Sequence, residues 1–431
     1  MSTFPPGPRE PPLVQTLHWL LRPISFLESC RRRFGDTFSV RFLGFARPFV
    51  MVSDPDAIRA LYTVPEHALP PGRALLLEPI VGARSLLLLE GREHLARRRL
   101  MLPPFHGQRM RAYEAIVRDA AARDVESWPV GRPFAIHPHM QAVTLEVILR
   151  AVFGVTDPER HARLMERLAQ LLASTSSLRM QFGVPLSRRW PRLDPMAGVR
   201  DLRRQIDALL ADEIAERRGD RGDDILSLLL AARFDDGERM DDEEIRDQLM
   251  TLLVAGHETT ATALAWTFEL LVHHPPALDR LEAEVAAGEE RYLRAVIAES
   301  LRLRPVIPLA GRRLSSELRV DGYVLPPGSD VTPAIWLAHT RADRYPDPFA
   351  FRPERFLGNA PATYAWVPFG GGVRRCLGAA FAEMEMRVVL AEVLRRRALR
   401  PVSAAPERVA RRNVTFSPSS GTRVVAAPRP R

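Results

Sequence analysis

The chain has 431 residues, 46% of them apolar and 26% charged, and it contains no repeat period or low-complexity block, so it can bury a large globular core. Basic side chains outnumber acidic ones by 61 to 52, a formal charge of +9, but the arginines are interleaved with acids on helical stretches. No aromatic-and-basic cluster accompanies them, which argues against nucleic acid as the partner.

Two cysteines, Cys30 and Cys376, exclude a disulfide framework and fit a reducing, cytoplasmic setting. Residues 1–12 are rich in proline and carry neither a signal nor a transit pattern. The apolar stretch 13–21 ends at Arg22-Pro23 and is too short to span a bilayer. Length alone suggests two or three domains.

Periodicity predicts a helix over 13–33, a strand over 37–43 and a partner strand over 49–52. Asp54-Pro55 opens a short helix to residue 61, with proline in the first turn, where its missing N–H does no harm. Residues 68–89 are apolar and irregular, either a loop over a cavity or core. A helix follows from Gly91, placing His94 and Arg98 on one face, and Pro103-Pro104 ends it. Helical periodicity fills 110–218, interrupted at 128–138 and 183–195, with charged turns at 219–224 and 234–237.

Residues 241–274 form the longest helical run, ~50 Å at 1.5 Å per residue. Asp241 and Glu244 make a capping-box-like start, Pro275-Pro276 a stop, and apolar residues lie almost all round, as in a helix buried through the middle of a protein. Its centre reads Ala255-Gly256-His257-Glu258-Thr259-Thr260. A mid-helix glycine costs about 1 kcal/mol against alanine. Either Gly256 packs against a neighbouring helix, or it leaves room for something beside the backbone. A threonine hydroxyl here can hold open a gap in the hydrogen-bond ladder. Glu258 favours a working site, because a carboxylate on so apolar a helix is expensive unless used or paired.

The next helix is expected over 288–304 and carries Glu299 and Arg302, three apart and able to pair. An extended region with strands at 318–324 and 330–335 leads to Arg355, and the tail 413–426, with Gly421, suggests a terminal hairpin. Before that tail stands Phe369-Gly-Gly-Gly-Val-Arg-Arg-Cys-Leu-Gly378, ahead of a helix over 379–397. Glycines let a chain pass close to a flat object. Cys376, near a helix start and two residues after Arg374, is favoured as a thiolate. Cys376 is thus either a small buried hydrophobe or the anionic sulfur ligand of a haem iron.

Phe369, Gly370, Gly372, Arg374, Cys376 and Gly378 resemble the signature of the cytochrome P450 family, and three further motifs occur in that family's order: His94 with Arg98, the run 255–260, and Glu299 with Arg302. The resemblance covers essentially the whole chain and implies a mainly α protein with small β-sheets, a long central helix over the haem, and one domain spanning 1–431. It implies heme b (iron protoporphyrin IX) with Cys376 as the metal ligand. His94, Arg98, Arg312 and Arg374 match propionate-binding positions, Arg312 being ambiguous because Arg313 adjoins it. Ala255, Gly256, Phe369 and Gly378 complete the cofactor site, and Gly256 leaves room for dioxygen. Glu258 and Thr259 match the acid and alcohol that deliver protons, with glutamate where many members have aspartate. Arg355 matches the arginine that joins Glu299 and Arg302 in a structural network locking the ligand loop.

The reaction implied is monooxygenation, hydroxylation or epoxidation of a lipophilic small molecule. No flavin or iron–sulfur motif is present, so electrons are expected from a ferredoxin and its NAD(P)H-dependent reductase, received on an arginine-rich face bearing Arg97, Arg111, Arg375 and Arg387. Residues 75–89, 171–184, 306–309 and 415–417 match regions that line the family's pocket, and 183–195 lies between the helices that form its lid. Peroxide-using or rearranging haem–thiolate enzymes, and a haem-binding sensor or carrier, are the alternative readings.

Overall fold

The computed structural model describes residues 4–65, 77–107, 109–175, 196–218, 222–358, 363–412 and 414–429. Helices make up 56% of the described residues and the sheets are small. The described residues fall into two compact units, each assembled from three separated segments. The first draws on Met1–Arg73, Trp266–Cys376 and Ala404–Ser419; the second on Ala74–Ala265, Leu377–Ser403 and Ser420–Arg431. The expected lid at 183–195, the apolar residues 68–76, the pocket residues 176–184 and residues 219–221 of the charged turn expected over 219–224 lie outside the described residues.

In the first unit, the helix expected over 13–33 is two, Pro12–Leu21 and Pro23–Phe34. Pro23 has no N–H to continue the ladder and pushes Arg22 out of the helical region, to φ −142° and ψ 60°. Strand Thr37–Val40 pairs antiparallel with Phe49–Val52, the partner the sequence suggested. Phe49–Val52 then runs parallel to Asp330–Pro333, which pairs with Arg312–Arg313 at the far edge. Val50, Val52 and Val331 meet Ile58, Leu61 and Tyr62 of helix Pro55–Tyr62 and Val367 in one apolar cluster. Asp54 caps that helix, accepting from the Asp56 and Ala57 N–H groups.

Three expectations in this unit are corrected. Residues 318–324 are a hairpin, Leu318–Val320 against Tyr323–Leu325, because Asp321-Gly322 takes positive φ at both turn positions (48° and 78°). Pro275-Pro276 ends one helix but also opens another, Pro275–Ala287, whose C-cap is Gly288 at φ 74°. The helix bearing Glu299 therefore starts later, as Arg291–Leu303. The terminal hairpin about Gly421 does not form. Thr415–Pro418 pairs with Val409–Arg412 in the first unit, while Arg423–Pro428 pairs with Pro133–Ala135 and Arg397–Pro401 in the second.

The second unit is mostly helical. Helix Ile136–Val147 runs into a wider π turn, Ile148–Val152, and stops before Gly154 at φ 69°, a break that periodicity did not show. Helix Asp242–Val272 is the longest, 31 residues. Asp241 accepts from Glu244 N–H at 2.9 Å, but the Glu244 carboxylate takes Arg97 Nε at 2.7 Å, a capping arrangement shared with a second helix. Among the described residues no helix is long and apolar enough to cross a membrane.

Helices Arg109–Glu126 and Ala379–Arg396 pack through Tyr113 and Phe381, ring centroids 5.6 Å apart, with Phe105 edge-on to Phe381 at 6.0 Å. Glu385 is buried on the second of these helices, its Oε1 without a hydrogen-bond partner among the described residues. Burial pushes its carboxyl up to about 8. Between about pH 4.5 and 8 the folded chain holds a proton that the unfolded chain releases, so this group's contribution to stability falls by about 1.4 kcal/mol per pH unit across that window. Buried His257 and His339 act in the opposite sense below pH 6.5, because burial lowers them to about 4 and about 3. Glu385→Gln should leave the thermal midpoint unchanged near pH 4.5 and raise it at pH 8. Equal midpoints for both proteins at pH 8 would refute an isolated carboxyl.

Candidate active site

The two cysteines differ sharply. Cys30 is buried beside Phe26 and Leu27, and burial pushes its thiol up to about 12, which makes it inert. Cys376 is exposed, so it is not the small buried hydrophobe that a lone cysteine usually is. Its N–H donates to the Phe369 carbonyl at 2.9 Å, closing the loop on itself. Phe369 stands edge-on to Trp366, with ring centroids 6.2 Å apart.

The glycines of this loop serve the protein's own packing as well as a passing ligand. Gly370 and Gly372 sit at φ 67° and 64°. A Cβ at Gly371 would lie 2.5 Å from the Tyr62 ring, and one at Gly372 2.1 Å from the Tyr62 carbonyl oxygen. Tyr62, which the sequence did not single out, is therefore the surface on which the loop is moulded. The turn of glycines was the visible signal; its partner lay some 300 positions away.

Behind the loop, Glu299 and Arg302 are wholly buried on helix Arg291–Leu303. Arg302 Nε and Nη2 donate to the two carboxylate oxygens at 2.6 and 2.8 Å, and Arg355 Nε lies 3.4 Å from Glu299 Oε1. Glu299 thus stands between Arg302 and Arg355. Arg302 Nη1 also donates to the carbonyls of His339 and Pro348. His339 carries the connection onward: its Nε2 accepts from Val367 N–H at 2.8 Å, which leaves Nδ1–H to donate to the Arg302 carbonyl. Burial and the Arg302 charge lower His339 to about 3, so it stays neutral. Trp366 Nε1 donates to the Ala298 carbonyl and Tyr345 Oη to that of Ala365. Three successive residues, 365–367, are thus pinned just ahead of the loop.

Strand alternation resolves the two adjacent arginines. Arg313 pairs with Asp330 at 3.1 Å. Arg312 faces the other way, half-buried near Tyr62, and burial lowers its guanidinium below the usual range. Its Nε and the Tyr62 hydroxyl have no hydrogen-bond partner among the described residues. Two unanswered donors are what an anionic ligand would satisfy. Arg374 is half-buried on the loop itself.

In the second unit, His94 is buried and Arg98, one turn on, is half-buried on helix Gly91–Met101, so these two do not form a solvated face. On helix Asp242–Val272, every residue from 260 to 272 is buried, whereas Ala255 is exposed and Leu252, Gly256, Glu258 and Thr259 are half-buried. Positions 252, 255, 256 and 259 make one helical stripe that the protein leaves uncovered. A Cβ at Gly256 would meet only Ile148 Cδ1, at an ordinary 3.8 Å. Helix packing therefore does not demand this glycine. The helix is unbroken here, and the Thr259 hydroxyl donates to the Ala255 carbonyl at 2.5 Å instead of opening the ladder. Glu258 is held from helix Ile136–Val147: Gln141 Nε2 donates to its Oε2 at 2.6 Å, and Thr262 donates to its Oε1 at 3.3 Å. Gly378 precedes helix Ala379–Arg396 and crowds nothing within 4 Å.

Residues 5–421 match the family model for Cytochrome P450. This chain belongs to the cytochrome P450 family. It is 42% identical to the Putative cytochrome P450 135B1 of Mycobacterium tuberculosis over 98% of this chain and 91% of that one. It is 41% identical to the Putative cytochrome P450 137 of the same organism, covering 91% and 83%. Its fold is similar to the solved structure of retinoic acid bound cyanobacterial CYP120A1, with a TM-score of 0.86, 26% identity and 99% of each chain covered.

P450s are monooxygenases that bind haem b. Taken unit by unit, the residues present fit that group: in the first, an exposed cysteine on a pinned loop and donors at Arg312 and Tyr62 unanswered among the described residues; in the second, a helix stripe left bare beside a glycine. The docking face is corrected in part. Arg97 is tied to Glu244 and Arg387 to Glu114, both with largely covered side chains, while Arg111 and Arg375 are exposed. Because nothing packs against Gly256, Gly256→Ala should raise stability by about 1 kcal/mol and weaken carbon monoxide binding to the ferrous P450. A loss of stability, read by thermal melting, would show instead that the glycine is a packing residue.

Proposed function

We propose that the chain is a single catalytic domain, residues 1–431, hydroxylating or epoxidising a lipophilic small molecule with electrons from an external protein. Bound haem b supplies the dioxygen chemistry, with Cys376 thiolate as its iron ligand. The carrying observation is the contrast between exposed Cys376 and buried Cys30, together with the clamp that fixes residues 365–367. His94, Arg98, Arg312 and Arg374, with Tyr62 added, are assigned to the propionates. Ala255 and Gly256 give room on the bare stripe, Phe369 and Gly378 frame the ligand loop, and Glu299, Arg302 and Arg355 are structural.

Glu258 and Thr259 are assigned to proton delivery. Gln141 and Thr262 bind both Glu258 oxygens, which favours the carboxylate until a proton is needed at Oε1 or Oε2. The Thr259 hydroxyl, now donating to Ala255, has only to turn to hand a proton outward. A carboxylate so placed supports dioxygen-dependent turnover over the peroxide-using and rearranging alternatives, which need no such relay. The retinoic acid in the cyanobacterial neighbour supports a lipophilic substrate class.

The first test is the carbon monoxide difference spectrum of the dithionite-reduced protein. A strongly red-shifted Soret band that disappears in Cys376→Ser is expected; a band at the histidine-ligated position would overturn the thiolate assignment. A cytoplasmic ferredoxin with its NAD(P)H-dependent reductase is the donor proposed, received by exposed Arg111 and Arg375. Its reduction rate should fall steeply as salt rises, because exposed charges are screened. A rate indifferent to ionic strength would remove the electrostatic docking.

A further inference from the structure

The P450 resemblance assigns a role to Glu258 and none to the helix behind it. Helix Ile136–Val147 presents a polar ladder to the apolar central helix. Thr144 Oγ1 meets His257 Nδ1 at 2.9 Å, Gln141 donates to Glu258 Oε2, and His137 Nε2 lies 3.2 Å from Thr262 Oγ1 and 3.6 Å from Glu258 Oε1. His137, Gln141 and Thr144 fall at spacings of four and three, one face of that helix. His137 and Thr262 are essentially inaccessible.

The direction of this chain follows from donor arithmetic. The Thr262 hydroxyl has one proton and gives it to Glu258 Oε1. Its oxygen can then only accept, so His137 must carry its proton on Nε2 and donate. The order His137 Nε2–H, Thr262 Oγ–H, Glu258 Oε1 runs one way, towards the carboxylate, and Gln141 closes on the other oxygen. Buried polar groups in apolar surroundings are costly unless each is answered, and here Gln141 and Thr262 answer the carboxylate at the edge of the bare stripe while His137 answers Thr262.

We propose that His137 is a positioning residue for Glu258, acting through Thr262 to hold the carboxylate's orientation and to set how readily it takes up a proton. The proposal rests on the reading of Glu258 as the proton-delivering acid. A protonated His137 strengthens the donor chain and holds Glu258 as the anion; a neutral one leaves it oriented but more easily protonated. Other titratable groups on the packed elements are engaged elsewhere. His257 is kept neutral by burial, His139 pairs with Asp124, and Arg123 and Arg150 are taken by Asp119 and Glu146. From the segment ahead of Arg423–Pro428, Gly421 presents its carbonyl to His137 N–H, and the Thr422 hydroxyl is spent on the Ala265 carbonyl.

The test uses the holoenzyme and needs no substrate. Histidine-selective NMR of the diamagnetic ferrous carbon monoxide form, assigned with His137→Gln, follows His137 against pH. Its midpoint should drop by at least one unit in Glu258→Gln; an unchanged midpoint overturns the proposal. The second readout is hydrogen peroxide released per NADPH oxidised, with an acidic plant-type ferredoxin and its reductase as donors. His137→Leu, which removes the donor, should raise the peroxide share about threefold or more. His137→Gln, whose amide can still donate to Thr262, should keep the parental share but lose its dependence on pH. If His137→Leu matches the parent while Glu258→Gln raises peroxide, the positioning role fails and the Glu258 reading stands. If Glu258→Gln is itself silent, that reading fails and takes the proposal with it.

Discussion

Glu299 sits with no solvent contact between two guanidinium groups, and such a carboxylate survives only because both its oxygens accept hydrogen bonds. Removing one partner from a buried ion pair typically costs 3–5 kcal/mol, roughly the scale of a whole domain's margin. What the arrangement provides is geometry more than net stability. Arg302 reaches the carbonyls of His339, Pro348 and Ala350, and His339 passes the constraint to Val367 two residues before Phe369. The loop bearing Cys376 is thus fixed by a chain of hydrogen bonds starting at the buried Glu299–Arg302 pair.

The loop then meets a second constraint from the opposite direction. Gly371 and Gly372 lie so close against Tyr62 that no side chain fits. Held by the clamp on one side and by Tyr62 on the other, the backbone has one course left, and Cys376 emerges exposed at its end. Exposure is itself informative: a buried thiol such as Cys30 resists ionisation, and a ligand thiolate must ionise.

The central helix shows two uses of polar groups inside an apolar body. Along the bare stripe, Ala255, Gly256 and Thr259 keep the surface small, Gly256 and Thr259 at the expense of helix propensity. On the flank, Glu258 is admitted because Gln141 of the helix behind it and Thr262, one turn on along its own helix, both donate to it. Glu385, by contrast, is buried with one oxygen unanswered among the described residues and remains neutral at neutral pH. Three carboxylates, Glu299, half-buried Glu258 and Glu385, therefore differ in their surroundings: one is clamped by two arginines, one is held by two donors, and one is protonated through burial.

Composition, helical periodicity and four short motifs were enough to read a mainly helical P450 fold and to single out Cys376 and the Glu299–Arg302 pair, because these depend on residue type and local spacing. Local chemistry also settled the Asp54 cap and the pairing of the first two strands. It misplaced boundaries where a proline or glycine serves two elements at once, as at Pro23, Pro275 and Gly288. It failed at the tail, because which strand Arg423–Pro428 joins is decided by the sheet edge offered by Arg397–Pro401, not by its own alternation. Tyr62, His137, Gln141 and His339 were invisible for the same reason. Each is an ordinary residue whose significance is the partner it meets across scores to hundreds of positions, and only the folded chain brings those partners within a hydrogen bond or a van der Waals contact.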